Sequence, residues 1–100
     1  MLNDGEAALS IINKIELLSF DSPNPNDVII LNLFIDRCIV IPLTDPIVTK
    51  TIDLRKTYKK KLPDTIIAAT AFVHNLTIIT RNESDFRNMT GLIVVNPHTL

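Results

Sequence analysis

The sequence predicts an α/β fold, a three-layer α/β/α sandwich with a mostly parallel sheet, in one domain spanning residues 1–100. Short apolar runs rich in β-branched residues alternate with longer segments of helical periodicity. Three such runs, at residues 38–43, 76–79 and 92–95, are typical of parallel strands covered on both faces. Strands that alternate with helices are joined by right-handed crossovers, which place the strands side by side.

Residues 62–86 are the most informative stretch, because a helix, a turn and a strand follow one another closely. Pro63 favours an extended residue before it, so Asp64 is predicted as the N-cap of a helix that ends at His74. The helix is apolar almost all round and rich in Ala, which predicts close packing on a sheet. Asn75 is the expected C-cap, and the strand that follows ends in polar residues. Ligands of open α/β sheets bind at such carboxyl ends.

The N-terminal part is predicted to begin with a loose segment, residues 1–6, followed by a short strand at residues 7–9. Ser10 is a suitable N-cap for a first helix over residues 11–18. Because that helix is apolar over most of its circumference, Glu16 either lies on a narrow polar strip or points into a site that needs a carboxylate.

Two further helices are predicted, over residues 27–37 and from Pro46 to about Lys60. Asn24 or Asn26 would cap the first of them after a proline-containing loop. Asp45 would cap the second, with proline at the favoured first helical position.

Composition excludes several classes of function. Ten Lys and Arg against eleven Asp and Glu give a formal net charge of −1, which is unlike a basic nucleic-acid-binding arm. No segment approaches the roughly 18 apolar residues that cross a bilayer, and no leader pattern is visible, so we expect a cytoplasmic protein without a membrane partner. Cys38 is the only cysteine, and its apolar surroundings indicate a small buried hydrophobe. The two glycines are too few for a Gly-rich phosphate loop.

Carboxylates at the ends of predicted elements are the main chemical feature, namely Glu16, Asp64 and Asp85, with Asn82 beside the last. Two carboxylates 4 Å apart repel by about 4 kcal/mol at an effective dielectric near 20, so a converging set needs protons or a cation. Mg²⁺ suits such a set, because few carboxylates and several waters hold it. Spacing alone does not show convergence, and a plain N-cap role for Asp64, worth about 1 kcal/mol, is the alternative.

Four motifs, in this order, resemble those of the PIN-domain ribonucleases of the bacterial VapC toxin type. They are residues 10–18 (Ser-Ile-Ile-Asn-Lys-Ile-Glu-Leu-Leu), 61–71 (Lys-Leu-Pro-Asp-Thr-Ile-Ile-Ala-Ala-Thr-Ala), 80–86 (Thr-Arg-Asn-Glu-Ser-Asp-Phe) and 95–97 (Val-Asn-Pro). The resemblance covers nearly the whole chain from about Ala7. It implies a PIN-like fold, cleavage of single-stranded RNA with Mg²⁺ or Mn²⁺, and a cognate antitoxin that blocks the groove. A homodimer is also expected.

The resemblance assigns roles residue by residue. Glu16 takes the family's second acidic position and Asp64 its third. The fourth falls within residues 80–86, where Asp85 or Asn82 would serve, Asn82 through its neutral carbonyl. Glu16, Asp64 and Asp85 are therefore the expected catalytic residues, and these three with Asn82 the expected metal ligands.

The family's first strand, which ends in an Asp-Thr-Asn type motif and carries the first acidic ligand, has no counterpart in this sequence. In the family that strand lies in the middle of the sheet, so an N-terminally truncated sheet with unpaired strands is expected. Three situations are consistent with this: a shortened form of a longer toxin, a non-catalytic module that binds an antitoxin or dimerises, or a dimer in which a second chain fills the gap.

Positive charges lie near the expected site. Lys59, Lys60 and Lys61 either hold phosphates or an acidic partner, or form a solvated helix end. Arg81 either contacts a phosphate or forms an ion pair with Asp85 or Glu83.

Overall fold

The structure is a computed structural model that describes residues 2–3, 6–19, 23–80, 83–86 and 88–95. Its elements are β1 (Leu2–Asn3), β2 (Glu6–Ser10), α1 (Ile11–Leu18), α2 (Pro25–Asp36), β3 (Ile39–Ile41), α3 (Asp45–Thr57), α4 (Leu62–His74), β4 (Ile78–Ile79), a 3₁₀ turn (Glu83–Asp85) and β5 (Val94–Val95). Helices thus alternate with short strands that pair mainly in parallel, which confirms the predicted α/β class.

The described strands form two sheets. In the first, β2 pairs in parallel with β3, and β1 pairs antiparallel with the other edge of β2. In the second, β4 pairs in parallel with β5. The β1 partners are confined to the start of β2, so the rest of that edge faces no described strand. The described strands therefore do not form one continuous sheet.

Strand β1 (Leu2–Asn3) and the start of β2 at Glu6 lie within the segment predicted to be a loose N-terminus, so that prediction is wrong for these residues. Leu2 pairs with Ala7 and Asn3 with Glu6, so the chain folds back on itself immediately before β2. Pairing along the edge of β2 gives hydrogen-bond partners to backbone N–H and C=O groups. Because these groups are the same in every residue, side-chain pattern and hydropathy do not predict this pairing.

The core is built around α3 and α4. Ile47 and Leu54 of α3 are buried against the buried face of α4, where Ala68 and Ala69 have no exposed surface. Small side chains let the backbones approach closely, as predicted from the Ala-rich sequence of α4. Thr65 and Thr70 are also buried, and each hydroxyl donates a hydrogen bond to a backbone carbonyl one turn earlier, so that no polar group is left unpaired there.

Helix α4 begins three residues earlier than predicted. Lys61 is its N-cap, Pro63 lies in the first turn, and Asp64 lies inside that turn as well. The prediction that Asp64 caps the helix is therefore wrong, because proline is tolerated where the first-turn N–H groups have no helical partner. The predicted C-cap is confirmed: Asn75 adopts φ 54°, ψ 49°, and the Leu76 N–H donates to the carbonyl of Ala71 at 2.8 Å.

The predicted N-caps of α1 and α2 are confirmed, whereas that of α3 is not. Ser10 caps α1 in a reciprocal pair with Asn13, in which each backbone N–H donates to the other side chain at 3.0 Å. Asn24, one of the two predicted alternatives, caps α2. Helix α3 has Thr44 as its N-cap and Asp45 as its first residue, so the prediction that Asp45 caps it is wrong, because proline is also tolerated at the second helical position. The helix ends at Thr57, so the predicted extension to Lys60 is wrong as well.

The expectation that the strands are covered on both faces is wrong in part. Ile41 and Ile78 are buried, but Ile39 is 52% exposed and Ile93, just before β5, is 63% exposed. Helix α2 likewise buries only Ile35. Cys38, expected to be buried, is half-buried, and its thiol donates to the Phe34 carbonyl at 3.3 Å. Coverage depends on neighbouring elements, which a strand's own sequence does not specify.

None of the described helices is long and apolar enough to cross a membrane.

Candidate active site

The three predicted acidic residues line one cleft of about 270 Å³. Its lining consists of Leu9, Asn13, Glu16, Leu17, Asp64, Ile67, Ile78, Ile79, Thr80, Asp85 and Phe86. These residues come from β2, α1, α4, β4 and the 3₁₀ turn, so the cleft lies between the two sheets and at the carboxyl end of β4. This is the edge at which the sequence predicted a ligand site.

Each carboxylate is placed by a local feature of its own element. Glu16 lies three residues after the capping residue Asn13, so both are on the same face of α1, and Glu16 is exposed. Asp64 is half-buried in the first turn of α4. Asp85 ends the 3₁₀ turn, and the buried ring of Phe86 anchors the chain directly after it. The cleft thus collects carboxylates from three separate segments.

Asp64 is electrostatically coupled to Asp85. Partial burial raises the pKa of the Asp64 carboxyl above its usual value, and the negative charge of Asp85 raises it further. The positive charges of Lys61 and then Lys60 act in the opposite direction. A bound cation would relieve this effect of the Asp85 charge on Asp64.

The donor set fits Mg²⁺ or Mn²⁺ better than zinc. Among the residues that the structure describes, no three His, Cys, Asp or Glu side chains are close enough together to hold a metal ion. Asp64 and Asp85 remain as a pair, and Mg²⁺ is commonly held by one or two carboxylates while it keeps several waters. All these donors are oxygens, the ligands that hard cations prefer. Glu16 lines the cleft but does not complete a three-residue cluster.

The predicted ligand Asn82 and the predicted phosphate contact Arg81 lie outside the described residues. Two further polar residues of the cleft, Asn13 and Thr80, were not predicted as site residues. Both had a recognisable position in the sequence. Asn13 is midway between Ser10 and Glu16 at helical spacing, and Thr80 is the first residue after a predicted strand.

The three consecutive lysines divide into two groups. Lys59 and Lys61 are exposed, whereas Lys60 is half-buried and its Nζ donates to the backbone carbonyl of Ser84 at 2.7 Å. Neither predicted alternative describes Lys60, because α3 ends before it and its ammonium group contacts the segment that carries Asp85.

The fold and the acidic cleft at its sheet edge define the class of this protein as a PIN-type α/β domain. The sequence matches the family model of the PIN domain over residues 1–92, and the chain belongs to that family. A comparison with curated proteins finds no match.

Solved structures with the same fold support this assignment. A toxin-antitoxin complex from Klebsiella pneumoniae has 34% sequence identity and a TM-score of 0.73, and the match covers 90% of this chain and 72% of the other chain. VapBC2 from Rickettsia felis, bound to a promoter DNA fragment, has 25% identity and a TM-score of 0.79, and the match covers 93% of this chain and 76% of the other. VapBC-1 from nontypeable Haemophilus influenzae shares the fold at 24% identity and a TM-score of 0.76, and the match covers 96% of this chain and 78% of the other. The family resemblance found in the sequence is therefore confirmed.

Proposed function

We propose that this chain is a VapC-type toxin that hydrolyses phosphodiester bonds of single-stranded RNA in the cytoplasm with the help of Mg²⁺ or Mn²⁺. The observation that carries the proposal is that Glu16, Asp64 and Asp85, from three separate segments, line one cleft. The negative charge of Asp85 also raises the pKa of Asp64. The similarity to toxin-antitoxin complexes supports the class of protein.

Asp64 and Asp85 would hold the cation, with Glu16 and Asn82 as the further ligands that the family resemblance implies. A divalent cation, when bound, supplies positive charge against the phosphodiester and lowers the pKa of a water molecule. The protein's own contribution is to fix the two carboxylates on α4 and the 3₁₀ turn. Leu9, Ile67 and Ile78 give the cleft an apolar lining, which strengthens electrostatic interactions inside it.

The exposed ammonium groups of Lys59 and Lys61 lie just before the helix that carries Asp64. They are suited to attract the phosphate backbone of an RNA strand, an interaction that weakens as the salt concentration rises. Helix α4 adds to this, because its N-terminus favours anions.

Metal removal tests the proposal directly. The purified chain is expected to cleave a single-stranded RNA in Mn²⁺ or Mg²⁺, to stop when EDTA is added, and to recover when the metal is restored in excess. Cleavage would be followed with an end-labelled RNA on a denaturing gel, and folding checked by circular dichroism in both states. Cleavage that continues unchanged in EDTA would contradict a metal-dependent reaction.

A second candidate function is a module that binds an antitoxin or dimerises without cleaving RNA. An open apolar groove of about 660 Å³ lies beside the cleft and is lined by Glu16, Leu17, Asp27, Ile30, Leu31 and Phe34. Because the groove and the cleft share Glu16 and Leu17, a partner in the groove would lie against the acidic site.

We expect a cognate antitoxin to bind this chain at micromolar concentration or tighter, and replacement of Ile30 with Asp to weaken that binding at least about tenfold, because it places a charge in the apolar groove. Isothermal titration calorimetry would measure both affinities, with Ile52→Asp on α3 as the control for an exposed apolar residue outside the groove. If the folded protein binds the antitoxin but leaves the RNA intact, this result would favour the module over the enzyme. Equal affinity of wild type and the Ile30 variant would contradict binding in this groove.

A further inference from the structure

The linker between α3 and α4, residues 58–61, has an alternating pattern of exposure. Tyr58 and Lys61 both have extended backbone angles, φ −118°, ψ 138° and φ −63°, ψ 148°. Tyr58 and Lys60 are half-buried, while Lys59 and Lys61 are exposed. Successive side chains of an extended segment point to opposite sides, so Tyr58 and Lys60 share the side that faces the protein.

Both inward-facing side chains contact the segment between β4 and β5. The Nζ of Lys60 donates to the Ser84 carbonyl at 2.7 Å, and the Tyr58 hydroxyl accepts from the Thr90 N–H at 3.1 Å. These contacts join residues 24 and 32 positions apart in the chain. The linker therefore holds that segment at two points, one of which is next to Asp85.

The 3₁₀ turn needs such a contact if Asp85 is to keep its place. The turn is three residues long, and the Phe86 N–H donates to the Glu83 carbonyl at 3.0 Å. Short 3₁₀ segments have poor hydrogen-bond geometry and little stability of their own. A hydrogen bond from an ammonium group is stronger than one between neutral groups, and this one reaches the backbone of the residue before Asp85.

We propose that Lys60 is a positioning residue that holds the 3₁₀ turn so that Asp85 faces Asp64 in the acidic cleft. The proposal deepens the proposed function, since it rests on Asp64 and Asp85 acting as one metal-binding pair. The positive charge of Lys60 also acts on Asp64 in the direction opposite to the negative charge of Asp85. Lys59, on the other side of the linker, has no part in this role.

Hydrogen exchange of residues 83–86 tests the positioning without any metal. Lys60→Met keeps the aliphatic stem and removes the donor, and we expect exchange in this segment to become about fivefold faster. Lys59→Met is the matched control and is expected to leave exchange unchanged. Lys60→Arg restores a charged donor and is expected to restore most of the protection. Wild-type exchange in Lys60→Met would overturn the proposal.

Mn²⁺ affinity, measured by calorimetry on the same proteins, tests the consequence for the site. Lys60→Met is expected to bind Mn²⁺ about tenfold more weakly at an unchanged melting temperature, and Lys59→Met to bind it like wild type. Equal affinities of Lys60→Met and wild type would overturn the proposal. If the folded wild-type protein binds no Mn²⁺, the proposed function fails, and the exchange data alone decide whether Lys60 holds the turn.

Discussion

Replacement of Asp64 with Asn is expected to lower the rate of RNA cleavage at saturating Mn²⁺ by at least about a hundredfold. Asp64 is half-buried in the cleft, and its charge is coupled to that of Asp85. Asn has the same shape but offers only a neutral carbonyl, so it would weaken the attraction for a cation without altering the packing around α4. Initial rates on a labelled single-stranded RNA would measure the effect.

The matched control for this variant is Asp53→Asn, because Asp53 is exposed on α3 and does not line the cleft. It is expected to keep wild-type activity. Asp64→Asn is also expected to stay folded, within about 1 kcal/mol of wild type, since it loses a favourable charge at the helix N-terminus but also a repulsion with Asp85. Undiminished cleavage by folded Asp64→Asn would remove Asp64 from the site.

Because the pKa of Asp64 is raised, the stability of Asp64→Asn relative to wild type is expected to depend on pH. The folded protein holds the proton of Asp64 more tightly than the unfolded chain, so ionisation of Asp64 destabilises the fold as the pH rises through its ordinary range and through the raised pKa. Asn does not ionise. The stability of Asp64→Asn relative to wild type should therefore improve from low pH to neutral pH in metal-free buffer.

The largest effect on stability is expected for Ile47→Ala, which should lower the free energy of unfolding by about 2–5 kcal/mol. Ile47 has 0% exposure and lies in the core between α3 and α4. Removal of its side-chain atoms leaves a cavity that the close packing around Ala68 and Ala69 cannot easily fill. Urea unfolding followed by circular dichroism would measure the difference.

Ile52→Ala tests whether burial causes this loss, because Ile52 lies on the same helix and is 51% exposed. Its expected cost is below about 1 kcal/mol, since surface substitutions have small effects. Similar losses for the two variants would contradict the burial of Ile47 in the core, because Ala is a better helix former than Ile and helix propensity would not explain a loss at the exposed site.

Local sequence chemistry predicted the helix ends where a side chain has a specific partner close by in the chain. Ser10 and Asn75 are examples, since a hydroxyl cap and a left-handed C-cap depend on neighbouring residues alone. Asp64 was misplaced as a cap because proline is compatible both with the residue before a helix and with its first turn. That choice depends on how α4 packs.

Exposure was predicted less well than secondary structure. The apolar runs at β3 and β4 do form strands, but Ile39 is exposed because no described element covers it. An apolar, β-branched run indicates a strand whether its second face is covered or not. The missing information lies in the number and position of the neighbouring elements.

The sequence by itself determined the α/β class, most of the helices and the family, because these follow from periodicity, capping residues and ordered motifs within short stretches. It also singled out Glu16, Asp64 and Asp85. Only the tertiary structure decided that Asp64 and Asp85 interact and that Lys60 contacts Ser84. These contacts join residues far apart in the chain, and the packing of whole elements, rather than any local preference, brings such residues together.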